Sequence, residues 1–202
     1  MRLWLAEQPM VLASRSESRR AILVGAAIAV EIVPADIDER ALEAGAADKA
    51  PDAVAVLLAR AKATAVAARL PGRFVLGADQ TLALGDRVFS KPADAAAARA
   101  QLKALRGATH SLYSALALVR DGAVVFEHCA AAHLTMRNFS DQFLDAYIAA
   151  AGPAVTASVG AYQVESMGIQ LFDRIDGEHF TILGLPLLAL LAHLRAAGLL
   201  AD

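Results

Sequence analysis

An acid and a lysine twelve residues apart, Asp79 and Lys91, frame the stretch FVLGADQTLALGDRVFSKP at positions 74–92. A carboxylate can hold a divalent cation through oxygen or take a proton from water. An ammonium can neutralise a phosphate. Brought together at a sheet edge, the two would suit a metal and a phosphate. A second group lies at Ser14-Arg15-Ser16-Glu17-Ser18-Arg19-Arg20. A helix starting here would offer backbone N–H groups to an anion, and Arg19 or Arg20 could fold back as a clamp. A third is Asp36, Asp38 and Glu39, three acids in four positions. They are carboxylate ligands for a hard cation in one reading and a solvated acidic loop in the other. Lys62 stands beside an apolar helical stripe, where its stem can lie on the core and its ammonium reach an edge. Gln80 and Glu165 could hydrogen-bond the edge of a heterocycle. Taken singly, each of these residues reads better as an ordinary surface group. Taken together, they are the parts that hydrolysis of a nucleotide phosphoanhydride needs.

The elements that must carry these residues follow from periodicity. Pro9–Ala13 and Ala29–Val33 read as strands, with a helix between them capped by Ser16. Residues 43–52 read as loop. From a cap at Asp52, Val54, Leu57, Leu58, Ala61, Ala65 and Ala68 make one helical face, ended by Pro71-Gly72. Phe74–Leu76 reads as a short buried strand, Gly77–Gln80 as a small-residue bend, and Thr81–Phe89 as a hairpin about Gly85-Asp86. Pro92 is expected at the first turn of a helix to about Leu105. Ser111–Val119 is apolar on both alternations, as in a strand covered on both faces. Asp121-Gly122 turns it into a return strand over Ala123–Phe126, with Ala131–Met136 as a further candidate. Asn138–Ser140 starts another helix, and Ala154–Val159 reads as loop. Ile169–Ile175 and Glu178–Leu183 read as a hairpin, and Gly184-Leu185-Pro186 opens a last helix. His128 and His133 fall on opposite faces of a strand, so a shared metal is not expected of them.

Strands alternating with helices and interrupted by hairpins imply an α/β fold. The expectation is a mixed, strongly bent sheet flanked by helices, with two lobes around a central cleft, formed by residues 1–202 as a single domain. The 202 residues carry 19 basic and 21 acidic side chains and no block of like charge, which argues against a nucleic acid polymer as partner. Cys129 is the lone cysteine, so an internal disulfide is impossible and a reducing cytoplasm is expected. Glu7 and Pro9 interrupt the N-terminal apolar stretch, so no signal peptide is read there, and no segment reads as a membrane span. Neither a Walker A motif nor a GxGxxG motif occurs. A homodimer is compatible with the sequence.

The motifs, in order, resemble those of the Maf family of septum-formation-inhibitor-like nucleotide pyrophosphatases. The resemblance rests on Leu12-Ala13-Ser14-Arg15-Ser16-Glu17-Ser18-Arg19-Arg20-Ala21-Ile22-Leu23, then Asp38-Glu39 and Ala61-Lys62-Ala63. It continues through Gly77-Ala78-Asp79, Lys91-Pro92, Gly160-Ala161-Tyr162 and Gly184-Leu185-Pro186-Leu187. It covers nearly the whole chain. It implies a Maf/Ham1-like, inosine-triphosphatase-like fold and cytoplasmic hydrolysis of a nucleoside triphosphate to monophosphate and pyrophosphate with a divalent cation, Mg2+ or Mn2+. It further implies that Asp79 activates water, that Ser14, Arg19, Lys62 and Lys91 hold phosphates, and that Glu39 and Asp79 hold the metal. Ser18, Gln80 and Glu165 match positions that tune base choice. Gln80 and Glu165, with Gly168–Phe172, resemble the branch acting on 7-methylguanosine triphosphate, which implies a modified or non-standard base. Ser18 departs from the tryptophan usual in that branch. Ser166 stands where a glycine is usual. The alternative of a different class is a non-catalytic nucleotide-binding regulator of cell division acting through a protein partner.

Overall fold

The computed structural model describes residues 3–201, and these fall into two compact units. The first comprises residues 3–80, 113–130 and 178–201. It contains β1 (Met10–Leu12), α1 (Glu17–Gly25), β2 (Val30–Ile32), α2 (Glu39–Gly45) and α3 (Pro51–Ala67). It also holds the first part of β3 (Val75–Leu84). The second unit comprises residues 81–112 and 131–177. It begins with the end of β3 and adds β4 (Arg87–Phe89), α4 (Ala95–Leu105), the start of β5 (Thr109–Arg120) and the end of β6 (Ala123–Met136). Then come α5 (Asp141–Ala151) and β7 (Phe172–Asp176). The remainder of β5 and β6 returns to the first unit, which closes with α6 (His179–Ile182) and α7 (Leu187–Ala196).

In the first unit the hydrogen-bonded strand order is β2-β1-β3-β5-β6. β1 runs parallel to β2 and to β3. A strand buried on both faces sends alternate side chains to opposite layers. Here the alternation is kept across three strands. Met10, Leu12, Leu76, Ala78, Leu116 and Leu118 join a core with Ile22 and Leu23 of α1 and Leu187, Leu190 and Leu194 of α7. Val11, Ala13, Val75, Ala115, Ala117 and Val119 face Ala55, Ala59, Ala63 and Val66 of α3. Small residues on α3 let it lie close to the sheet. Gly77 completes that fit, because a Cβ there would lie 2.1 Å from the Ala59 carbonyl oxygen. β5 and β6 join through Asp121-Gly122, both at positive φ, as the tightest hairpin turn requires.

In the second unit β4 pairs antiparallel with the end of β3, Leu82 opposite Phe89. β7 pairs antiparallel with the end of β6, Leu134 opposite Ile175. α4 packs on α5 and on the short 3-10 turn Val159–Ala161. Asp141, opening α5, ties this pair together by meeting Lys103 at 2.9 Å and Arg106 at 2.7 Å.

Several expectations need correction. Residues 74–80 hold no bend: β3 runs unbroken for ten residues, and its small residues answer to α3 rather than to a turn. Positions 43–45 are helical, because the Asp38 carboxylate caps α2 by accepting the Ala41 N–H. α3 starts at Pro51, so Asp52 lies in its first turn instead of capping it. α4 starts after Asp94, which caps it, and Pro92 precedes the helix. β6 is one strand of fourteen residues. Gly152–Thr156 is a 3-10 turn, which takes in the first half of the segment Ala154–Val159 read as loop. Glu178–Leu183 is not a strand. The Glu178 carboxylate accepts the Thr181 hydroxyl and the Leu188 N–H at 3.3 Å each, which commits this segment to helix α6 and to the start of α7.

Candidate active site

The alternation of β3 decides what its two polar residues meet. Asp79 follows Val75 and Gly77 onto the α3 side, and Gln80 follows Leu76 and Ala78 onto the α1/α7 side. Asp79 and Lys62 are each only 9% exposed. The Lys62 Nζ donates to Asp79 Oδ1 at 2.6 Å. The same ammonium lies 2.9 Å from Glu39 Oε2, whose side chain is half-exposed at the start of α2. Burying two opposite charges is tolerable only when they are paired. Lys62 therefore stands between two carboxylates delivered by separate elements, β3 and α2.

Arg19 comes from α1. Its backbone N–H is held by the Ser16 cap, and its side chain reaches back past Ser14. Nη1 donates to the Ala78 carbonyl at 2.8 Å and to Ser14 Oγ at 3.3 Å, and Nε donates to the Gly184 carbonyl at 2.9 Å. Burial pushes the Arg19 pKa down, while the nearby Asp79 and Glu39 charges pull it back up. Two cations, Arg19 and Lys62, thus balance two anions, Asp79 and Glu39.

On the other side of β3, the Gln80 amide nitrogen donates to Ser114 Oγ at 2.8 Å and to the Thr181 and Ile182 carbonyls at 3.1 and 3.0 Å. Ser114 Oγ also donates to Thr181 O at 2.7 Å. Arg19 and Gln80 therefore hold residues 181–184, the end of α6 and the turn that leaves it towards α7. Gly184 takes φ +96 there, with the Arg19 guanidinium 3.5 Å from where a Cβ would lie.

Of the expected site residues, the first unit brings together Ser14, Arg19, Glu39, Lys62 and Asp79, and holds Gln80 on the other side of β3. Ser18 lies half-buried on α1, one residue before Arg19. Lys91 and Glu165 belong to the second unit and are exposed. Ser114 and Thr181 were not singled out from the sequence. Ser114 was detectable as the one serine within the apolar run Leu112–Val119.

The donor chemistry bears on a metal. Glu39 and Asp79 offer carboxylate oxygens that already converge on one cation, which fits a hard divalent ion. Among the described residues no cluster of three or more His, Cys, Asp or Glu could hold one alone. Two protein carboxylates, with substrate phosphate oxygens and water completing the shell, is the arrangement Mg2+ accepts.

The two-sided α/β sheet thus carries a charge-balanced cluster, with Asp79 and Lys62 buried, beside one strand. The family description Maf-like protein matches residues 9–197, and the chain belongs to the Maf family. It is similar to a nucleoside triphosphate pyrophosphatase of Rhodopseudomonas palustris (strain BisB18), 54% identical over 201 residues and 100% of both chains. It is also similar to a 7-methyl-GTP pyrophosphatase of Mesorhizobium japonicum, 54% identical over 95% of this chain and 97% of that one. A HAM1 protein from Coxiella burnetii aligns over 65% of this chain and 74% of its own, at 18% identity and a TM-score of 0.44. Among the described residues no helix is long and apolar enough to cross a membrane.

Proposed function

We propose that this chain is an enzyme that hydrolyses a nucleoside triphosphate between its α- and β-phosphates, releasing a nucleoside monophosphate and pyrophosphate. Family membership and a relative of that name at 54% identity over the full length support the reading. The observation that carries it is Lys62 held between Asp79 and Glu39, with Arg19 close by. In the reaction, water attacks the α-phosphorus, the bond to the bridging oxygen breaks, and pyrophosphate leaves. Asp79 takes the proton of that water on a carboxylate oxygen. Arg19 and Lys62 neutralise the charge developing on the phosphates, and Ser14 orients the Arg19 guanidinium. A divalent cation, Mg2+ or Mn2+, fits Glu39 and Asp79, and when bound it would polarise the phosphate oxygens. The roles of Lys91 on phosphate, and of Ser18 and Glu165 in base choice, are proposed on the family resemblance alone, as is a cytoplasmic location.

For the base, 7-methylguanosine is the proposed preference. The name of the Mesorhizobium relative supports it. Gln80 supports the guanine part of that reading: with its amide nitrogen committed to Ser114, Thr181 and Ile182, it can offer a ligand its oxygen, an acceptor for the N–H donors that guanine and 7-methylguanine share. The test is release of pyrophosphate from a panel of canonical, methylated and modified triphosphates with Mg2+ or Mn2+. Turnover of at least one substrate is expected, with Asp79→Asn inactive. An Asp79→Asn protein that still turns over removes Asp79 from its role. Equal rates on 7-methylguanosine triphosphate and its rivals remove the base assignment.

A further inference from the structure

Lys62 occupies the place between the two carboxylates that a divalent cation would need. Its Nζ is 2.6 Å from Asp79 Oδ1 and 2.9 Å from Glu39 Oε2, and the residue is 9% exposed. This is no casual surface pair. Lys62 lies on the face of α3 that packs on the sheet, and α3 is drawn in by its small residues and by the missing side chain at Gly77. The ammonium is therefore delivered to the carboxylates by the packing of the core. The local charge is already balanced, with Arg19 and Lys62 facing Asp79 and Glu39. Adding a dication to this set would leave two uncompensated positive charges in a partly buried place, which is costly.

We propose that Lys62 is a resident counter-cation that competes with the divalent metal for Glu39 and Asp79, so that the metal binds well only when a triphosphate arrives with it. The triphosphate supplies the missing negative charge and gives the displaced ammonium a new anionic partner. Metal and nucleotide then bind with positive coupling, each raising the affinity of the other by the same factor. Free metal binds weakly, and the metal-free protein keeps its two carboxylates paired. The inference rests on the reading that the divalent cation sits on Glu39 and Asp79, and it concerns Lys62 alone.

The experiment is calorimetric titration of purified protein with Mn2+, with and without a non-hydrolysable triphosphate analogue, on wild type, Lys62→Met and Lys62→Gln. Methionine keeps the length of the side chain without its charge, and glutamine keeps a hydrogen-bond donor should the methionine variant fail to fold. Without nucleotide, the neutral variants are expected to bind Mn2+ about tenfold or more tighter than wild type, since the competing ion pair is gone. A second readout is thermal unfolding. Two adjacent unpaired carboxylates should lower the melting temperature of the metal-free variants, and Mn2+ should restore it. Lys62→Arg, which keeps the charge, should titrate like wild type. The proposal is overturned if a folded neutral variant binds free Mn2+ no tighter than wild type while wild type with the analogue binds it normally, and then the metal assignment survives. If no form binds Mn2+ saturably, with or without the analogue, both the proposal and the metal assignment fall.

Discussion

Acid should weaken the second unit in a pH window set by one buried histidine. His110, at the start of β5, is 1% exposed. Its Nε2 lies 2.7 Å from the Tyr162 hydroxyl, its Nδ1 is buried with no hydrogen-bond partner, and the Phe172 ring stands 6.0 Å away. Burial lowers the His110 pKa from 6.5 to about 4 and pushes the Tyr162 phenol up, so both groups stay neutral at pH 7. Folding therefore depresses the basicity of His110. Below pH 6.5 the unfolded chain gains a proton that the folded chain refuses, so stability falls as the pH drops towards about 4 and levels off beneath it. The gap amounts to about 3–4 kcal/mol at ~1.4 kcal/mol for each pH unit. Asp141 does not interfere, because Lys103 and Arg106 hold its pKa down to about 2 and its contribution is lost only at pH values below the histidine window. His193, stacked on Phe126 in the first unit, is also lowered by burial and acts in the same direction. His110→Phe separates the two. The assay is urea unfolding from pH 7.5 to pH 4, read by hydrogen exchange of the amides at 110–112. Trp4, the lone tryptophan, belongs to the first unit and would report on the wrong part. His110→Phe should lose ~1 kcal/mol at pH 7 with its hydrogen bond, and should lose most of the pH dependence. Stability that declines as steeply in His110→Phe as in wild type would refute the reasoning.

Further outcomes follow from the first unit. Gly77→Ala should cost ~3 kcal/mol or more, or block folding, because its Cβ meets the Ala59 backbone and neither α3 nor β3 can yield; chemical denaturation decides, and near-wild-type stability would show that the two elements are not in contact there. Gln80→Glu should lose ~1–3 kcal/mol, since a carboxylate cannot donate to the Thr181 and Ile182 carbonyls. An unchanged unfolding midpoint would mean that the amide nitrogen is not the group facing them.

The parts of the fold that could be read from the sequence are those fixed by neighbours in the chain. Ser16 caps α1 where a serine before an apolar face should, and the Gly85-Asp86 hairpin pairs Leu82 with Phe89 as its alternation requires. What escaped depends on distant contacts. Gly77-Ala78 looks like a bend in isolation, and only the approach of α3 explains the small residues in a continuous strand. His179–Ile182 has strand-forming residue types, but the Glu178 carboxylate overrides them. The candidate site divides in the same way. Residue types at 19, 39, 62 and 79 announce a charged cluster. That Arg19 spends two nitrogens on carbonyls 59 and 165 residues away could not be inferred from any local pattern. His110 and Tyr162 are 52 residues apart, and nothing near either one points to the other.

The pleat of β3 insulates two neighbours from one another. Asp79 and Gln80 share a peptide bond, yet the first meets Lys62 on the α3 side and the second meets Ser114 and the 181–182 carbonyls on the opposite side. Variation at position 80 is thus free to explore without disturbing the acid beside it, provided that the phase of the strand is kept. A one-residue insertion or deletion between Val75 and Asp79 would exchange the two sides at a stroke. It would turn the carboxylate towards the carbonyls and the amide towards the lysine. Lineages of this fold are therefore expected to diversify here by substitution and almost never by change of length.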